Sequence, residues 1–444
     1  MKVEENQQVF KGTGNRITER IPWTDKPRVV IIGGGFAGVE LVKQLSKQDV
    51  QIVMIDKHNH HTFIPLLYQV ATAGLSPGEI SSPLREFLRS NKNFHFRMAK
   101  VKMIHADTKK LETNLGFVKY DILVIASGAS TNFFGNKELA KHAMKLREMS
   151  DAIALRTKLI TNFEEALQLE ESDEETLEKY MNIVIVGGGP TGVELAGAIG
   201  ELKRHVLPKD YPEIDFSKLK IHLIEGSGKV LPPMRDISGK RAATYLEHFG
   251  VKVTLNTLVE RYENSIAYLN NGAIIPTNCL IWAAGVKGNL IPGLRDGAVE
   301  KGRIRVDQFN LVKGHEFVYA IGDVALQSDE ENPNGYPQLA PVAIQQAELL
   351  GANLKRLFKE EKMQPFKYID KGTMATVGRN RAVVDAPFNI TFGGFFGWFV
   401  WMFVHLFSIV GIRRKFLVFA NWVWNYFTYN RGNRLIIDKD LEEN

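Results

Sequence analysis

The chain has 444 residues, of which 44% are hydrophobic and 24% are charged, and its formal net charge is +6. This composition predicts a folded protein of two or three domains. The mildly positive net charge suits binding to an anionic membrane surface. The sequence has no basic cluster with interleaved aromatic residues, so nucleic-acid binding is not predicted. The single cysteine, Cys279, excludes an internal disulfide, a Cys-x-x-Cys redox pair and a cysteine-based zinc site, and we expect no metal.

The first twenty residues, 1–20, are charged and polar and contain no apolar core segment. A secretory signal needs such a segment, and a mitochondrial transit peptide avoids acidic residues, so neither is predicted. We therefore expect the body of the protein to stay in the cytoplasm.

A strand, a glycine-rich turn and a helix follow one another early in the chain. The β-branched run 28–32 predicts a strand buried on both faces. It leads into Gly33-Gly-Gly-Phe-Ala-Gly38, and residues 39–45 have the spacing of a helix. The next predicted strand, 51–55, ends at Asp56.

The same order of features recurs in the middle of the chain. A predicted strand at 182–186 leads into Gly187-Gly-Gly-Pro-Thr-Gly192, followed by a helix-like run at 193–199 and a strand at 220–224 that ends at Glu225. The acidic stretch 165–180, between the two copies, predicts an exposed helix or connector.

A Gly-x-Gly-x-x-Gly turn between a strand and a helix has a specific chemical use. The first glycine permits the turn, the second lets a pyrophosphate approach the backbone, and the third allows close helix packing. An acid at the end of the next strand binds ribose hydroxyls, and both copies have one. The acidic Glu225 disfavours a 2′-phosphate and predicts NADH over NADPH, a preference that nearby Lys229 and Arg235 would soften.

Three further strand ends carry small or acidic residues that suit a nucleotide or flavin site. The run 120–125 ends at Ala126-Ser127-Gly128, and the run 278–283 ends at Ala284-Gly285. The third, 318–321, ends at Gly322-Asp323, where the acid is suited to ribityl hydroxyls.

Taken together, these segments resemble the flavoprotein superfamily with two dinucleotide-binding domains, and within it the type II NADH dehydrogenases. The resemblance runs from about residue 27 to residue 435 and is most specific in four blocks: Phe63–Ala71, Gly189–Ala196, Leu339–Gln346 and the C-terminal stretch from Trp422 to Arg434. The related disulfide and sulfide enzymes need paired cysteines, which this chain lacks.

The resemblance implies non-covalent FAD in the first copy and NADH in the second. The implied FAD residues are Gly33, Gly34, Gly35, Ala37, Gly38, Asp56, Lys57, Ala126, Ser127, Gly128, Gly322 and Asp323. The implied NADH residues are Gly187, Gly188, Gly189, Gly192, Glu225, Ala284 and Gly285.

The predicted fold class is α/β, with two Rossmann-like dinucleotide-binding domains and a C-terminal helical segment at the membrane surface. We expect a discontinuous FAD domain at 27–140 and 300–385, an NADH domain at 141–299 and a membrane-association segment at 386–444.

By the same resemblance, the catalytic candidates are Glu194, Gln345 and Gln346. Glu194 would position the nicotinamide; the alternative is a helix glutamate with a structural role. Pro341 predicts a helix start, yet it stands where many relatives have a glutamine, so the quinone contact would fall to Gln345 or be absent. The segment 378–384 would help to line the quinone entrance.

The C-terminal segment is rich in aromatic residues. Residues 391–412 are almost continuously apolar, the cluster Arg413–Lys415 follows, and a second apolar stretch covers 416–427. A membrane span would conflict with the position of the basic cluster, so two short helices in the membrane interface are predicted. A span, and a buried core or dimer contact, remain the alternatives.

The resulting hypothesis is an NADH:quinone oxidoreductase that does not pump protons, with a membrane quinone and the lipid surface as partners. We expect a homodimer at the cytoplasmic face of the inner membrane. A reductase of a soluble or protein acceptor and a non-catalytic NADH sensor remain open alternatives.

Overall fold

The structure is a computed structural model that describes residues 21–436 except 88, 90 and 171. The expectation for residues 1–20 falls outside these described residues.

The elements of the described chain are short strands and mostly short helices. The helices are α1 Phe36–Leu45, α2 Leu67–Ala71, α3 Pro77–Ile80, α4 Lys137–His142, α5 Met149–Ala166, α6 Glu174–Tyr180, α7 Pro190–His205, α8 Leu207–Asp210, α9 Asp236–His248, α10 Ala340–Leu357, α11 Gly394–Ser408 and α12 Ile412–Thr428. The strands are β1 Arg28–Ile32, β2 Gln51–Asp56, β3 His60–Thr62, β4 Ser81–Pro83, β5 Phe94–Met98, β6 Val101–His105, β7 Lys110–Thr113, β8 Gly116–Lys119, β9 Ile122–Ile125, β10 Ala129–Thr131, β11 Met144–Lys145, β12 Asn182–Val186, β13 Lys220–Ile224, β14 Val251–Thr254, β15 Val259–Glu263, β16 Ile266–Leu269, β17 Ile274–Pro276, β18 Cys279–Trp282, β19 Val286–Gly288, β20 Val299–Glu300, β21 Arg303–Arg305, β22 Val318–Ala320, β23 Ala325–Leu326, β24 Thr373–Thr376, β25 Ala382–Asp385 and β26 Thr391–Gly393. Short 3-10 turns cover Ile64–Leu66, Leu84–Glu86, Ala106–Thr108 and Gly322–Val324.

Two compact units account for the described chain. The first unit comprises the residues through His61 together with Pro83–Ser130 and Lys287–Ile369. The second comprises Thr62–Ser82, Thr131–Val286 and the residues from Asp370 onward.

The first unit is built on a parallel sheet with the strand order β22-β9-β1-β2-β5. Its central strand β1 is buried at every position, as expected for the β-branched run 28–32. Helices α1 and α10 pack on one face through Leu41, Leu45 and Leu350. In a parallel sheet all carboxyl ends lie at one edge, so the turns after β22, β9, β1 and β2 are neighbours.

The second unit repeats this plan with a parallel sheet of order β11-β18-β12-β13-β14. Strand β12 pairs in register with β13, from Asn182 opposite Lys220 to Val186 opposite Ile224. The antiparallel strands β15 to β17 supply Val259, Tyr262 and Leu269 to a core on one side of this sheet. The turns after β18, β12 and β13 therefore share one edge.

The division into units differs from the predicted boundaries in four stretches, of which 131–140 joins the second unit and 287–299 joins the first. Residues 62–82 and 370–385 group with the second unit, because 69–81 hydrogen-bonds to α12 and β24 lies beside α7. Contacts distant in sequence set both assignments, so the local composition could not indicate them. The predicted boundaries of the cofactor-binding domains stay a prediction.

The aromatic C-terminus folds as two helices, α11 and α12, that meet at Gly411. The run 391–412 is interrupted there, because Gly411 has a φ of +89°, a value that favours glycine. The cluster Arg413–Lys415 forms the first turn of α12 rather than a linker. Within the described residues, every helix is too short or too polar to cross a membrane.

Candidate functional site

The turn after β1 forms a cradle whose outer glycines are required by packing. Gly33 has a φ of +108°, and a Cβ there would lie 2.2 Å from the carbonyl oxygen of Ala126. A Cβ on Gly38 would lie 1.9 Å from the carbonyl oxygen of Gly33, so the close helix packing also requires glycine. Gly35 differs: its φ is −73°, and a Cβ there would meet no described atom within 4 Å. Neither the backbone conformation nor the packing demands glycine at Gly35, and the space beside it is open for a ligand phosphate, as the resemblance implies.

The acid of this first cradle is held by two backbone N–H groups. Asp56 Oδ2 accepts a hydrogen bond from Gly34 N at 2.6 Å, and Oδ1 accepts one from His58 N at 2.7 Å. The carboxylate is therefore anchored beside the turn, where ribose hydroxyls would reach it. Lys57, the next candidate, is exposed.

The remaining candidates of the first unit gather at the same sheet edge. Ala126 N donates to the carbonyl of Ile32 at 2.8 Å, and Gly128 has a φ of +68°. A Cβ on Gly322 would approach the methyl of Ala37 to 3.3 Å, so the Gly322-Asp323 turn lies directly beside α1. The structure thus brings together the four segments implied to hold FAD.

The turn after β12 repeats this geometry. Gly187 also has a φ of +108°, and a Cβ on Gly192 would lie 1.9 Å from the carbonyl oxygen of Gly187. Gly189 has a φ of −71° and, like Gly35, open space where a Cβ would stand. Ala284 and Gly285, whose φ is +91°, follow β18 at the same edge.

Glu225 occupies the position that Asp56 has in the first cradle. Its Oε2 accepts from Gly188 N at 2.6 Å, and its Oε1 accepts from Ser227 N at 2.7 Å. A 2′-phosphate bound here would place its negative charge close to this carboxylate, and the two charges would repel each other.

The two basic residues expected to soften this preference already have partners. Lys229 Nζ lies 2.6 Å from Asp236 Oδ1 and donates to the carbonyl of Met234 at 2.8 Å. Arg235 Nη1 donates to Thr391 Oγ1 at 2.7 Å. These contacts favour NADH more strongly than the sequence alone did.

Glu194 lies on α7, one turn beyond the second cradle, and its carboxyl group is buried. Oε1 accepts hydrogen bonds from Trp401 Nε1 at 3.2 Å and from Thr376 N at 3.4 Å. Burial raises the pKa of the Glu194 carboxyl to about 8, and the two hydrogen bonds oppose that rise. This raised pKa favours the protonated, neutral form of Glu194 near pH 7.

The two predicted glutamines are both engaged in hydrogen bonds. Gln346 Oε1 accepts from Gly322 N at 2.7 Å, and its Nε2 donates to Gln327 Oε1 at 2.8 Å. Gln345 pairs through both amide atoms with the backbone of Ile369 at 2.9 Å. The hydrogen bonds of Gln346 suit a role in holding the Gly322-Asp323 turn in place. The contact between Gln345 and the quinone stays a prediction. Helix α10 begins at Ala340, beside Pro341 as expected.

A cavity of about 90 Å³ lies in the second unit next to the partners of Glu194. Its aromatic wall comprises Trp398, Trp401, Trp422 and Tyr426 of the two tail helices, and its polar lining includes Tyr68, Gln69, Glu201, Arg379 and Arg431. Part of the predicted quinone-entrance segment 378–384 lines it, through Gly378 and Arg379. Such a mixture suits a flat, mostly apolar ligand with polar ends.

Sequence reasoning missed Trp401, Glu201 and the buried Arg431. Arg431 Nη2 lies 2.8 Å from Glu201 Oε2, although the two residues are 230 positions apart. The only signal was the C-terminal block from Trp422 to Arg434, which pointed to the segment without indicating a partner.

The tail helices contact the unit through polar groups and expose apolar ones. Trp422 Nε1 donates to Gln69 Oε1 at 2.8 Å, and Asn425 Nδ2 donates to the carbonyl of Gly74 at 3.1 Å. The exposed residues are mainly aromatic: Phe395, Phe396, Phe399, Phe403, Phe407, Phe416, Phe419, Trp424 and Phe427. Between residues 386 and 437 the chain contains no acidic residue.

Comparisons with known proteins give a consistent result. The family model described as pyridine nucleotide-disulphide oxidoreductase matches residues 27–347, and the model described as NDH2 C-terminal domain matches 371–429. The chain is 35% identical to a type II NADH:quinone oxidoreductase of Mycobacterium tuberculosis over 93% of its own length and 90% of the relative's. It is 29% identical to the type II NADH:quinone oxidoreductase of Staphylococcus aureus, covering 81% and 89% of the two chains.

The solved structures agree on the fold. NDH2 from Plasmodium falciparum in complex with NADH superimposes with a TM-score of 0.85 at 20% identity, covering 93% of this chain and 100% of that one. At this identity the likeness shows the fold alone.

Proposed function

The chain belongs to the type II NADH:quinone oxidoreductases, and we propose that its first cradle holds FAD, its second holds NADH and its aromatic cavity receives the quinone. The enzyme oxidises NADH and reduces a quinone without pumping protons. The observation that carries this assignment is the duplication of one cradle in one chain. Each copy has an acid anchored by backbone N–H groups and a glycine with open space at its Cβ position, where a pyrophosphate could approach the backbone.

The first cradle would hold FAD through the Gly33–Gly38 turn, with Asp56 on the ribose and Asp323 on the ribityl chain. The second would hold NADH through Gly187–Gly192 and Glu225, with Ala284 and Gly285 near the nicotinamide half. FAD, when bound there, would supply the redox chemistry, as an acceptor of hydride from NADH and a donor of two electrons to the quinone.

Reduction of a quinone to a quinol takes up two electrons and two protons. The hydride that leaves NADH carries both electrons and one of these protons, so the pocket needs a source for one more proton. Glu194 is a neutral carboxylic acid near pH 7, and both of its hydrogen-bond donors, Thr376 and Trp401, line the cavity. We assign it the role of proton donor to the quinone, reloaded from solvent. These contacts support a role on the quinone side of the reaction.

We also propose that the exposed faces of α11 and α12 lie in the interface of a lipid bilayer at the cytoplasmic side of the cell membrane. The exposed aromatic residues would be buried at the boundary between lipid headgroups and acyl chains. The basic side chains of Arg413, Arg414 and Lys415 would be attracted to anionic headgroups. Attachment at that side would let the enzyme use cytoplasmic NADH and a lipid-soluble quinone. The homodimer stays an expectation, which a measurement of mass in solution would test.

Membrane attachment is best tested with point variants. Deleting residues 390–444 would also remove Trp401 and Arg431, which contact buried residues. Replacing the exposed Phe407 and Phe416 by serine should release the protein from anionic vesicles in a sedimentation assay. Ile274→Ser, which removes an exposed apolar residue elsewhere, is the control and should stay bound. Equal sedimentation of both variants would refute the assignment.

A further inference from the structure

A tail helix and the NADH-side helix are joined by a buried hydrogen bond. Trp401 on α11 is 1% exposed, and its indole N–H donates to Glu194 Oε1 on α7, which begins immediately after Gly189. The two residues are 207 positions apart in sequence. The helix that carries the second cradle is thus connected directly to the helix whose outer face is apolar.

Both hydrogen bonds to the carboxyl group of Glu194 fall on one oxygen. Trp401 Nε1 and Thr376 N can only donate, and both donate to Oε1. Oε2 accepts no hydrogen bond from the described residues. The proton of the neutral acid therefore resides on Oε2, because Oε1 already accepts two N–H groups.

The orientation of the Trp401 ring is fixed on several sides. The ring of His405 stacks on it with a centroid distance of 4.1 Å, and His405 Nδ1 donates to the carbonyl of Trp401 at 2.8 Å. The rings of Trp422 and Tyr68 lie 5.8 and 6.4 Å away. The indole N–H is consequently held towards Glu194.

We propose that Trp401 is a positioning residue for quinone reduction, whose indole N–H holds Glu194 Oε1 so that the transferable proton stays on Oε2. The inference rests on the proposed quinone pocket and proton donor. The protonation of Glu194 then depends on the tail helix α11, because Trp401 donates one of the two hydrogen bonds that this carboxyl group accepts in the described structure.

The other charged or titratable groups around the cavity come from several elements. They are Tyr68 from α2, Glu201 on α7 itself, Arg379 after β24, His405 on α11, Tyr426 on α12 and Arg431 after α12. Burial raises the pKa of Tyr68 well above its ordinary value and lowers that of His405 to about 4, so both stay neutral near pH 7. Arg379 and Arg431 both contact Glu201. Glu194 is therefore the group expected to set the alkaline limit of the quinone step.

The test is the pH dependence of flavin re-oxidation by a short-chain benzoquinone, measured by stopped-flow after reduction with NADH. In the wild type the rate should fall as the pH rises through the pKa of Glu194. Trp401→Phe removes a hydrogen-bond donor that stabilises the ionised carboxylate of Glu194, so the midpoint of the decrease in rate should shift to higher pH by about one unit. The rate of flavin bleaching by NADH should change far less.

Two comparisons separate positioning from a general loss of structure. Trp422→Phe removes an indole donor from the same cavity, but its partner is the uncharged Gln69, so the pH midpoint should stay at the wild-type value whatever happens to the rate. In a Glu194→Gln background, Trp401→Phe should cause no further shift, because the titrating group is gone. If Trp401→Phe does not fold, Trp401→His, which keeps an N–H donor, should fold and keep the wild-type midpoint.

An unmoved midpoint in folded Trp401→Phe, a shift of the same size in Trp422→Phe, or a shifted midpoint in Trp401→His would overturn the inference. A wild-type enzyme whose reduced flavin no quinone re-oxidises at any pH would instead overturn the proposed function.

Discussion

The two cradles share seven of nine positions, in the pattern Gly-Gly-Gly-x-x-Gly-Val-Glu-Leu, yet the matching glutamates have different surroundings. Glu40 in the first copy pairs with Lys43 at 3.2 Å and accepts from Gln44 at 2.8 Å, with 16% of its side chain exposed. Glu194 in the second copy is buried beneath the tail helix α11 and has no ion pair among the described residues. The repeat thus reproduces the glycine turn, whereas the matching glutamate is buried and without an ion pair only where the tail helix covers it.

The cradles also differ in what holds the middle glycine. In the first, His61 Nδ1 lies 3.0 Å from the carbonyl oxygen of Gly34, and a Cβ on Gly34 would lie 2.6 Å from Leu84. In the second, the backbone N–H of Leu231 donates to the carbonyl of Gly188 at 2.7 Å.

The largest expected effect comes from exchanging the open glycine of each cradle for alanine. Gly35→Ala should yield a folded protein without yellow colour, because the added methyl occupies the space assigned to the pyrophosphate of FAD. Gly189→Ala should remain yellow but lose NADH-driven bleaching by at least about 100-fold, or about 3 kcal/mol. Flavin absorbance of the purified variants measures both.

Because neither glycine contacts the rest of the described protein at its Cβ position, both variants should fold. A yellow Gly35→Ala protein with normal flavin content, or a colourless Gly189→Ala protein, would contradict the assignment of FAD to the first cradle and NADH to the second.

The next effect is on stability, and it tests one side of the contrast between Glu194 and Glu40. The pKa of Glu194 is raised from 4.5 to about 8 on folding, so the unfolded chain releases its proton first as pH rises. Wild-type stability should therefore fall between about pH 4.5 and 8 by roughly 2–4 kcal/mol relative to Glu194→Gln. Thermal unfolding of the wild type and Glu194→Gln across this pH range is the measurement, and parallel profiles for the two proteins would contradict the buried-acid account.

The smallest effect distinguishes the two ribose-binding acids. Glu225→Gln should raise kcat/KM for NADPH relative to NADH by about 10-fold, since one anchored negative charge facing the 2′-phosphate is removed. Asp56→Asn, in the first cradle, should weaken FAD retention and leave that ratio unchanged. A nucleotide preference that responds to Asp56 instead would mean that the second cradle does not take NADH.

Sequence alone predicted the parts of the fold that depend on local patterns. The strand 28–32, the turn Gly33–Gly38 and the acid Asp56 were identified correctly, as were their counterparts ending at Glu225, because each is a short run with its own period and turn chemistry. The break at Gly411 was overlooked, although glycine within an apolar run is a local signal.

The contacts that complete the cavity could not be predicted in this way. Trp401 meets Glu194, and Arg431 meets Glu201, across more than two hundred residues of intervening chain. No periodicity links such positions, and a buried arginine has the same sequence appearance as an exposed one. Only the packing of α11 and α12 onto the second unit brings these side chains together.

The central claim is that one chain holds a flavin that is reduced by NADH and re-oxidised by a quinone. Mixing the purified protein anaerobically with NADH and then with a quinone, while following flavin absorbance, tests it most directly. The account predicts that the yellow colour bleaches on adding NADH and returns on adding the quinone. Absorbance that NADH leaves unchanged, or that stays bleached after the quinone is added, would contradict it.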